Sequence, residues 1–127
     1  MVRYERVKIT KDTNTIYNRA VPSWEIPILE FIFGEGNVVP LGVYEEAPYD
    51  YPDPAQEHQR LKGKYGVDKE TGTDFVAVVY GNSRIGEREV GKAIDAAKRD
   101  AVRARALEAR AKRAQAVEME MADPLLA

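Results

Sequence analysis

The sequence predicts an α+β fold, in which a small antiparallel β-sheet with one or two short helices precedes a long C-terminal α-helix. Residues 3–21 alternate apolar and polar side chains around a turn, which is typical of a β-hairpin. Residues 23–33 are the most apolar stretch and follow helical spacing. Residues 86–121 consist mainly of Ala, Arg, Lys and Glu and contain no proline. We therefore divide the chain into a compact α+β head, residues 1–85, and a long C-terminal helix and tail, residues 86–127.

The composition restricts the class of protein. A chain of 127 residues holds one domain with an appendage. The absence of cysteine excludes a disulfide framework and a thiolate site, and it favours a reducing compartment or a particle assembled in one. The formal net charge of −2 argues against a general polyanion binder. We expect a protein that is neither secreted nor membrane-bound, because no apolar run resembles a signal peptide or a membrane span.

Three strands are predicted at the start of the head. Residues 3–9 and residues 15–21 form the two strands of the hairpin, and Pro22 ends the second. Residues 38–44 form a third strand. Because Pro40 has no backbone N–H, this strand is expected at a sheet edge or at a bulge.

The apolar stretch at residues 23–33 is predicted to be a short buried helix. Ser23 suits the N-cap position, and Gly34 suits the residue after the last turn. Proline is tolerated only near the first turn of a helix, so Pro27 keeps a strand as the competing interpretation. We assign Trp24 to the hydrophobic core, since large aromatic side chains dominate such cores.

A loop rich in tyrosine, proline and acidic residues follows at residues 45–54. Its prolines predict an exposed and partly stiff segment. Tyr49 and Tyr51 make the loop a candidate protein-contact patch, because tyrosine is enriched at interfaces. A solvated loop without a partner is the alternative.

Two further elements complete the head. Asp53 as N-cap, Pro54 at the first position and Gly66 as the stop signal predict a helix over residues 55–65. The β-branched and aromatic run at residues 74–80 predicts a buried strand. A helix is the alternative for this run, because periodicity does not decide the structure of so short a segment.

The sequence contains no recognisable catalytic or ligand-binding motif. The glycine-containing loop at residues 81–86 has neither the P-loop nor the dinucleotide-binding spacing. His58 lies beside Glu57, but one histidine among scattered carboxylates has no diagnostic metal-ligand spacing, and we expect a surface histidine. The carboxylates are predicted to lie in loops, where their pKa values are not tuned. We therefore expect no enzyme, no metal, no cofactor and no small-molecule substrate.

The long helix presents a thin apolar stripe that contains Val90, Ile94, Ala97 and Ala101. We expect its first half to pack on the chain's own core. We expect the second half to project or to pack on another subunit, because polar residues interrupt the stripe there. The predicted protein-interface residues are Tyr49, Tyr51, Val90, Ile94, Ala97, Ala101, Leu125 and Leu126.

A basic stripe lies opposite the apolar one and suggests contact with nucleic-acid phosphates. Its members are Arg88, Lys92, Arg99, Arg103 and Arg110. A solvated face is the alternative, tied by pairs such as Asp95 with Arg99 and Glu108 with Lys112, each contributing about 0.2–0.5 kcal/mol. No aromatic residue follows Gly81, so the helix offers no stacking platform for single strands.

Charge is divided between the two parts of the chain. Residues 20–59 contain eight acidic residues and no lysine or arginine, whereas residues 98–113 are predominantly basic. Opposite charges of this kind suit pairing within the monomer. They also suit pairing head to tail between neighbouring copies.

Two stretches resemble small proteins encoded in tailed-bacteriophage genomes. They are VPSWEIPILEFIFGEGNV, residues 21–38, and LKGKYGVDKETGTDFVAVVYG, residues 61–81. The resemblance implies a phage structural or assembly protein, such as a head decoration or head–tail protein, located in the virion or the host cytoplasm. It implies a homo-oligomer or other virion proteins as partners, and it carries over no functional residue. A nucleic-acid-binding regulatory protein is the alternative prediction.

Overall fold

The computed structural model describes residues 2–122, and the side chains of residues 2–119. It confirms the predicted α+β class, with an antiparallel sheet of three strands in the order β2–β1–β3. The strands are β1 (Arg3–Asp12), β2 (Thr15–Pro22) and β3 (Val38–Glu46). The helices are α1 (Ile26–Phe33), α2 (Pro54–Tyr65), α3 (Phe75–Val79) and α4 (Ser83–Ala122).

The sheet follows from the alternating pattern of the first strands. In the hairpin turn, the Asp12 carboxylate accepts a hydrogen bond from the backbone N–H of Asn14 at 2.9 Å. The register of β1 against β3 shifts near Pro40, and Gly42 adopts a φ of +71° within the same segment. The third strand therefore lies at the sheet edge and is irregular beside its proline, as predicted.

The competing strand interpretation of the apolar stretch is wrong, because the stretch is helical. A single 3₁₀ turn at Ser23–Glu25 leads into α1, and Pro27 lies in the first turn, where a missing N–H costs nothing. Ile28 and Leu29 are fully buried. Trp24 is also buried, which confirms its assignment to the core.

The caps of α2 agree with the sequence prediction. The Asp53 carboxylate accepts hydrogen bonds from the backbone N–H groups of Ala55 and Gln56, at 3.1 and 3.3 Å. Gly66 ends the helix with a φ of +64°, a conformation that favours glycine.

The predicted strand at residues 74–80 is wrong, and this run forms the short helix α3. The Asp74 carboxylate accepts a hydrogen bond from the backbone N–H of Ala77 at 3.1 Å and so caps a first turn. Among the side chains of α3, only Val76 is fully buried. A local side-chain cap therefore outweighs the strand propensity of the β-branched residues in this short run.

Two hydrophobic clusters form the core. The first cluster joins α1, α2, α3 and α4, and its fully buried members include Ile28, Leu61, Val76 and Val90. The second lies between the sheet and α1, and contains Val7, Ile9, Val21, Leu29 and Val38. The helices therefore pack on one another beside the sheet, and this arrangement fixes the start of α4.

Helix α4 begins three residues earlier than predicted, at Ser83. Val90, Ile94 and Ala101 are buried against the head, which confirms that the first half packs on the chain's own core. Every described side chain from residue 105 onward is exposed. We call residues 105–122 the arm; at 1.5 Å per residue it is roughly 25 Å long.

No helix within residues 2–122 is both long enough and apolar enough to cross a membrane. The arm in particular carries charged residues, such as Arg110, Lys112 and Arg113, among its alanines.

Gly86 is the point of closest approach between α4 and α2. The His58 imidazole lies there, with its Nε2 atom 3.0 Å from the Gly81 carbonyl oxygen. A Cβ added at residue 86 would lie 2.2 Å from that nitrogen and 2.3 Å from that oxygen. Gly86→Ala should therefore lower the free energy of unfolding by about 1–3 kcal/mol, as overpacked cores do.

The matched control is Gly63→Ala, because a Cβ at residue 63 of α2 meets no atom within 4 Å. Alanine is the better helix former there, so this variant should raise the free energy of unfolding by about 0.5–1 kcal/mol. Urea denaturation of both variants measures the difference. Equal effects of the two substitutions would contradict the close approach at Gly86.

Candidate functional site on the C-terminal arm

The arm presents one face on which apolar side chains alternate with arginines. Leu107, Ala114 and Val117 follow helical spacing, and Arg103 and Arg110 lie between and beside them. Leu107 is 57% exposed and Val117 is 52% exposed. Exposed aliphatic side chains flanked by charges are typical of helices that dock on a partner.

All members of the predicted basic stripe are exposed and lie on the face of α4 that points away from the head. Lys92 donates a hydrogen bond to Glu89 at 3.2 Å. Within the described residues, no carboxylate lies within ion-pair distance of the other members, which are Arg88, Arg99, Arg103 and Arg110.

The ion pairs of α4 differ from those predicted. Glu108 pairs with Arg3 of the head at 3.5 Å rather than with Lys112. Arg105 pairs with Glu46 at 2.9 Å. The Arg105–Glu46 pair joins the acidic head to the basic helix within the monomer, whereas the Arg3–Glu108 pair has the opposite polarity. Neither the Asp95–Arg99 pair nor the Glu108–Lys112 pair is formed among the described side chains.

The other predicted interface residues occupy three different environments. The head buries Val90, Ile94 and Ala101 and half buries Ala97, so in this conformation their contacts are intramolecular. Tyr49 is exposed, and its hydroxyl group hydrogen-bonds that of Tyr4, whereas Tyr51 is half-buried against Trp24. Leu125 and Leu126 lie outside the described residues.

A buried ionic cluster lies where β2 leads into α1. Glu25 is fully buried, and its carboxylate accepts hydrogen bonds from Arg60 at 2.5 Å, Lys64 at 3.0 Å and Tyr65 at 3.1 Å. The expectation that carboxylates lie in loops is therefore wrong for Glu25. All three donors come from the last turns of α2, so this contact holds α2 against the start of α1.

Two neighbouring residues of α2 were also expected to be solvated. Glu57 is buried and accepts a hydrogen bond from Arg60 at 2.6 Å. His58 is 3% exposed, so the surface assignment is wrong. Its ring packs against Gly86. A tertiary contact of this kind cannot be predicted from the spacing of neighbouring residues in the sequence. Burial lowers the pKa of Arg60, but hydrogen bonds and charge pairing with both glutamates outweigh this effect and raise it overall.

The cluster has the geometry of a structural contact. Both Glu25 oxygens have cationic or hydroxyl donors, so neither is free to act as a base. No set of three or more histidine, aspartate or glutamate side chains within the described part could hold a metal ion.

A cleft of about 220 Å³ lies between the sheet and α4. Arg3 lines it, with its guanidinium group 4.0 Å from the centre of the Tyr44 ring. Burial raises the pKa of Glu5 in the same cleft, and the charge of Arg3 opposes this effect. Since Arg3 also pairs with Glu108, the contacts in this cleft attach the base of the arm to the head.

An open groove lies between α1 and α3, with a volume of about 610 Å³. Its walls are mainly apolar, and two glutamates stand beside them. The lining side chains are those of Pro27, Glu30, Phe31, Glu35, Val78 and Val79. This groove was not predicted, because residues 74–80 were expected to form a strand. The N-cap position of Asp74 is the sequence feature that indicates a helix there.

No family of known proteins, no curated protein and no solved structure matches this chain. The candidate site therefore rests on the arm, the groove and the charges that this structure places on them.

Replacing the Glu25 carboxylate should destabilise the protein less than removing the cations that pair with it. Glu25→Gln should lower the free energy of unfolding by about 1–3 kcal/mol, because charge-assisted hydrogen bonds are lost. Arg60→Met combined with Lys64→Met should lower it by about 3–5 kcal/mol, because a buried carboxylate then lacks its cations. Chemical denaturation measures both. Lys62→Met on the same helix is the control, since its pair with Asp74 spans 3.6 Å and keeps about a third of each side chain in water, so it contributes about 0–1 kcal/mol. A larger loss of stability in Glu25→Gln than in the Arg60→Met, Lys64→Met double variant would contradict this prediction.

The buried phenols of Tyr65 and Tyr80 should make the folded protein less stable at alkaline pH. Burial, with the nearby Glu25 carboxylate, raises the pKa of both phenols above their usual value of about 10. The folded state therefore keeps protons that the unfolded state releases, so the stabilisation is complete below about pH 10 and declines above it. Denaturation at several alkaline pH values should show this decline. Tyr65→Phe should weaken it, and Tyr44→Phe, on the exposed edge strand, should not.

Proposed function

We propose that this chain is a structural or assembly protein of a virus particle, of the tailed-bacteriophage kind, and that it acts by binding neighbouring protein subunits. It would be located in the virion or in the host cytoplasm. The observation that carries the proposal is the arm. A helix that extends about 25 Å beyond its own core, with aliphatic side chains in solvent, suits insertion into a partner.

The energetics of the arm support a binding role. Most helical stability in proteins comes from packing of an apolar face, and the arm side chains that the structure describes, residues 105–119, are all exposed in the monomer. Leu107 and Val117 would each gain up to about 1.5–3 kcal/mol from burial against a partner. The arm therefore becomes more stable in an assembly than it is alone.

The setting in a phage particle rests on the resemblance of residues 21–38 and residues 61–81. The composition is compatible with it, because a chain without cysteine needs no oxidising compartment to fold. The fully paired ionic cluster supports a binding protein rather than an enzyme, since its carboxylate has no free oxygen for proton transfer.

Binding of nucleic acid is the second candidate function. The observation that favours it is the line of exposed arginines from Arg88 to Arg110 on the solvent face of α4. The acidic residues elsewhere in the chain and the lack of an aromatic platform on α4 weigh against it. We place this function second for those reasons.

Co-sedimentation with particles tests the proposal. An epitope-tagged chain, expressed in host cells infected by the phage that encodes it, should sediment with gradient-purified particles. A variant truncated after Ala106 keeps the Arg105–Glu46 pair but loses most of the arm, and it should stay at the top of the gradient. Circular dichroism and thermal denaturation verify that the truncated head is folded. Equal recovery of both forms in particles would contradict a docking role for the arm.

The same purified chain separates the two candidate functions. Bound nucleic acid that is removed by nuclease, together with loss of binding in Arg99→Glu, Arg103→Glu and Arg110→Glu, would favour the second function. A log-linear fall of affinity with salt should accompany that result. An assembly that resists nuclease favours the first.

A further inference from the structure

The groove between α1 and α3 is an apolar surface that no other described part of the chain covers. Phe31 is 47% exposed, although its ring packs edge-on against Phe75 with the ring centres 6.1 Å apart, and Val78 is 53% exposed. The groove is formed by two helices and is open to solvent along its length. Such a surface matches the groove of helix-in-groove complexes, in which an amphipathic helix inserts its apolar face.

The charge beside the groove indicates what kind of helix fits. Glu30 and Glu35 both line it, and within the described residues neither has a cation within ion-pair distance. An occupant with arginines on either side of its apolar residues would pair with both. An acidic or neutral helix would leave both glutamates uncompensated at the rim of the contact.

The arm has this chemistry. Leu107, Ala114 and Val117 supply the apolar contacts. On the same face, Arg103 lies one turn before Leu107, just before the arm begins, and Arg110 lies between Leu107 and Ala114. Every described arm side chain is exposed, so the arm does not occupy the groove of its own chain. A second copy of the chain offers the same arm as a helix of matching chemistry.

We propose that the arm of one copy inserts its Leu107 face into the α1–α3 groove of the next copy, with Arg103 and Arg110 pairing with Glu30 and Glu35. This inference rests on the proposed function and names the partner of the arm. The contact joins two different surfaces, so a pair of copies keeps one free groove, on the first copy, and one free arm, on the second. Such an interface produces a ring when the rotation closes and a filament when it does not.

Charge reversal tests the pairing in the full-length protein. Arg110→Glu on the arm and Glu35→Arg at the groove should each weaken self-association by about tenfold, because like charges then meet. A mixture of the two variants should associate again, and so should the chain that carries both substitutions. Sedimentation velocity over a concentration series measures the average mass. The matched controls are Arg88→Glu and Glu70→Arg, which make the same charge changes at exposed positions outside both surfaces.

Cross-linking tests the geometry, and the absence of native cysteine makes it specific. Leu107→Cys mixed with Val78→Cys should form a disulfide-linked pair under mild oxidation. Ala109→Cys, on the opposite face of the arm, should not react with Val78→Cys. Preferential formation of a Leu107→Cys homodimer would mean that two arms pack on each other, and it would overturn the inference.

The outcomes separate this inference from the proposed function. A chain that remains monomeric at all concentrations, yet sediments with particles, overturns the head-to-tail contact and leaves the structural role intact. A chain that self-associates with the expected charge dependence, yet is absent from particles, supports the contact and refutes the proposed role.

Discussion

The buried carboxylate of Glu25 is the constraint on which the arrangement of the head depends. It leaves water completely, at the junction of β2 and α1, and such burial requires compensation by cations and hydrogen bonds. Arg60, Lys64 and Tyr65 provide it from the last turns of α2. Because three donors of α2 converge on this one carboxylate, they hold the C-terminal half of α2 against the junction of β2 and α1. The Tyr80 hydroxyl group also donates to the Trp24 carbonyl oxygen, so the end of α3 is attached at the same corner.

The positions of both proposed docking surfaces, the α1–α3 groove and the arm, depend on these contacts around Glu25. Helix α1 starts directly after Glu25 and α3 ends directly before Tyr80, so their relative positions, and the groove between them, are fixed by the same contacts. Helix α4 packs on α2 across Gly86, where only a hydrogen can lie against His58. The direction of the arm therefore depends on the position of α2. The contacts at Glu25 and Gly86 therefore position both the groove and the arm on the head.

Features that act within a few residues could be predicted from the sequence. The caps of α2 at Asp53 and Gly66, the hairpin and the long helix are of this kind, since propensity and local hydrogen bonds determine them. The burial of Glu25 and His58 could not, because their partners lie 23–40 residues away. Helix α3 is an intermediate case. Its Asp74 cap is a local feature, but the cap competes with the strand propensity of the β-branched residues, and the run is too short for periodicity to decide. The groove was missed for the same reason.

Charges on α4 act differently at the base of the arm and beyond it. At the base, the pairs Arg105–Glu46 and Arg3–Glu108 are exposed, and pairs of this kind contribute about 0–1 kcal/mol each, so they orient the arm more than they stabilise it. Further along, the arginines beside Leu107 have no carboxylate within reach in the described monomer. Docking would desolvate the leucine at about 25 cal/mol per Å² and would place those arginines near opposite charge. Apolar burial then provides the affinity, while the arginines and the groove glutamates select the partner and its orientation.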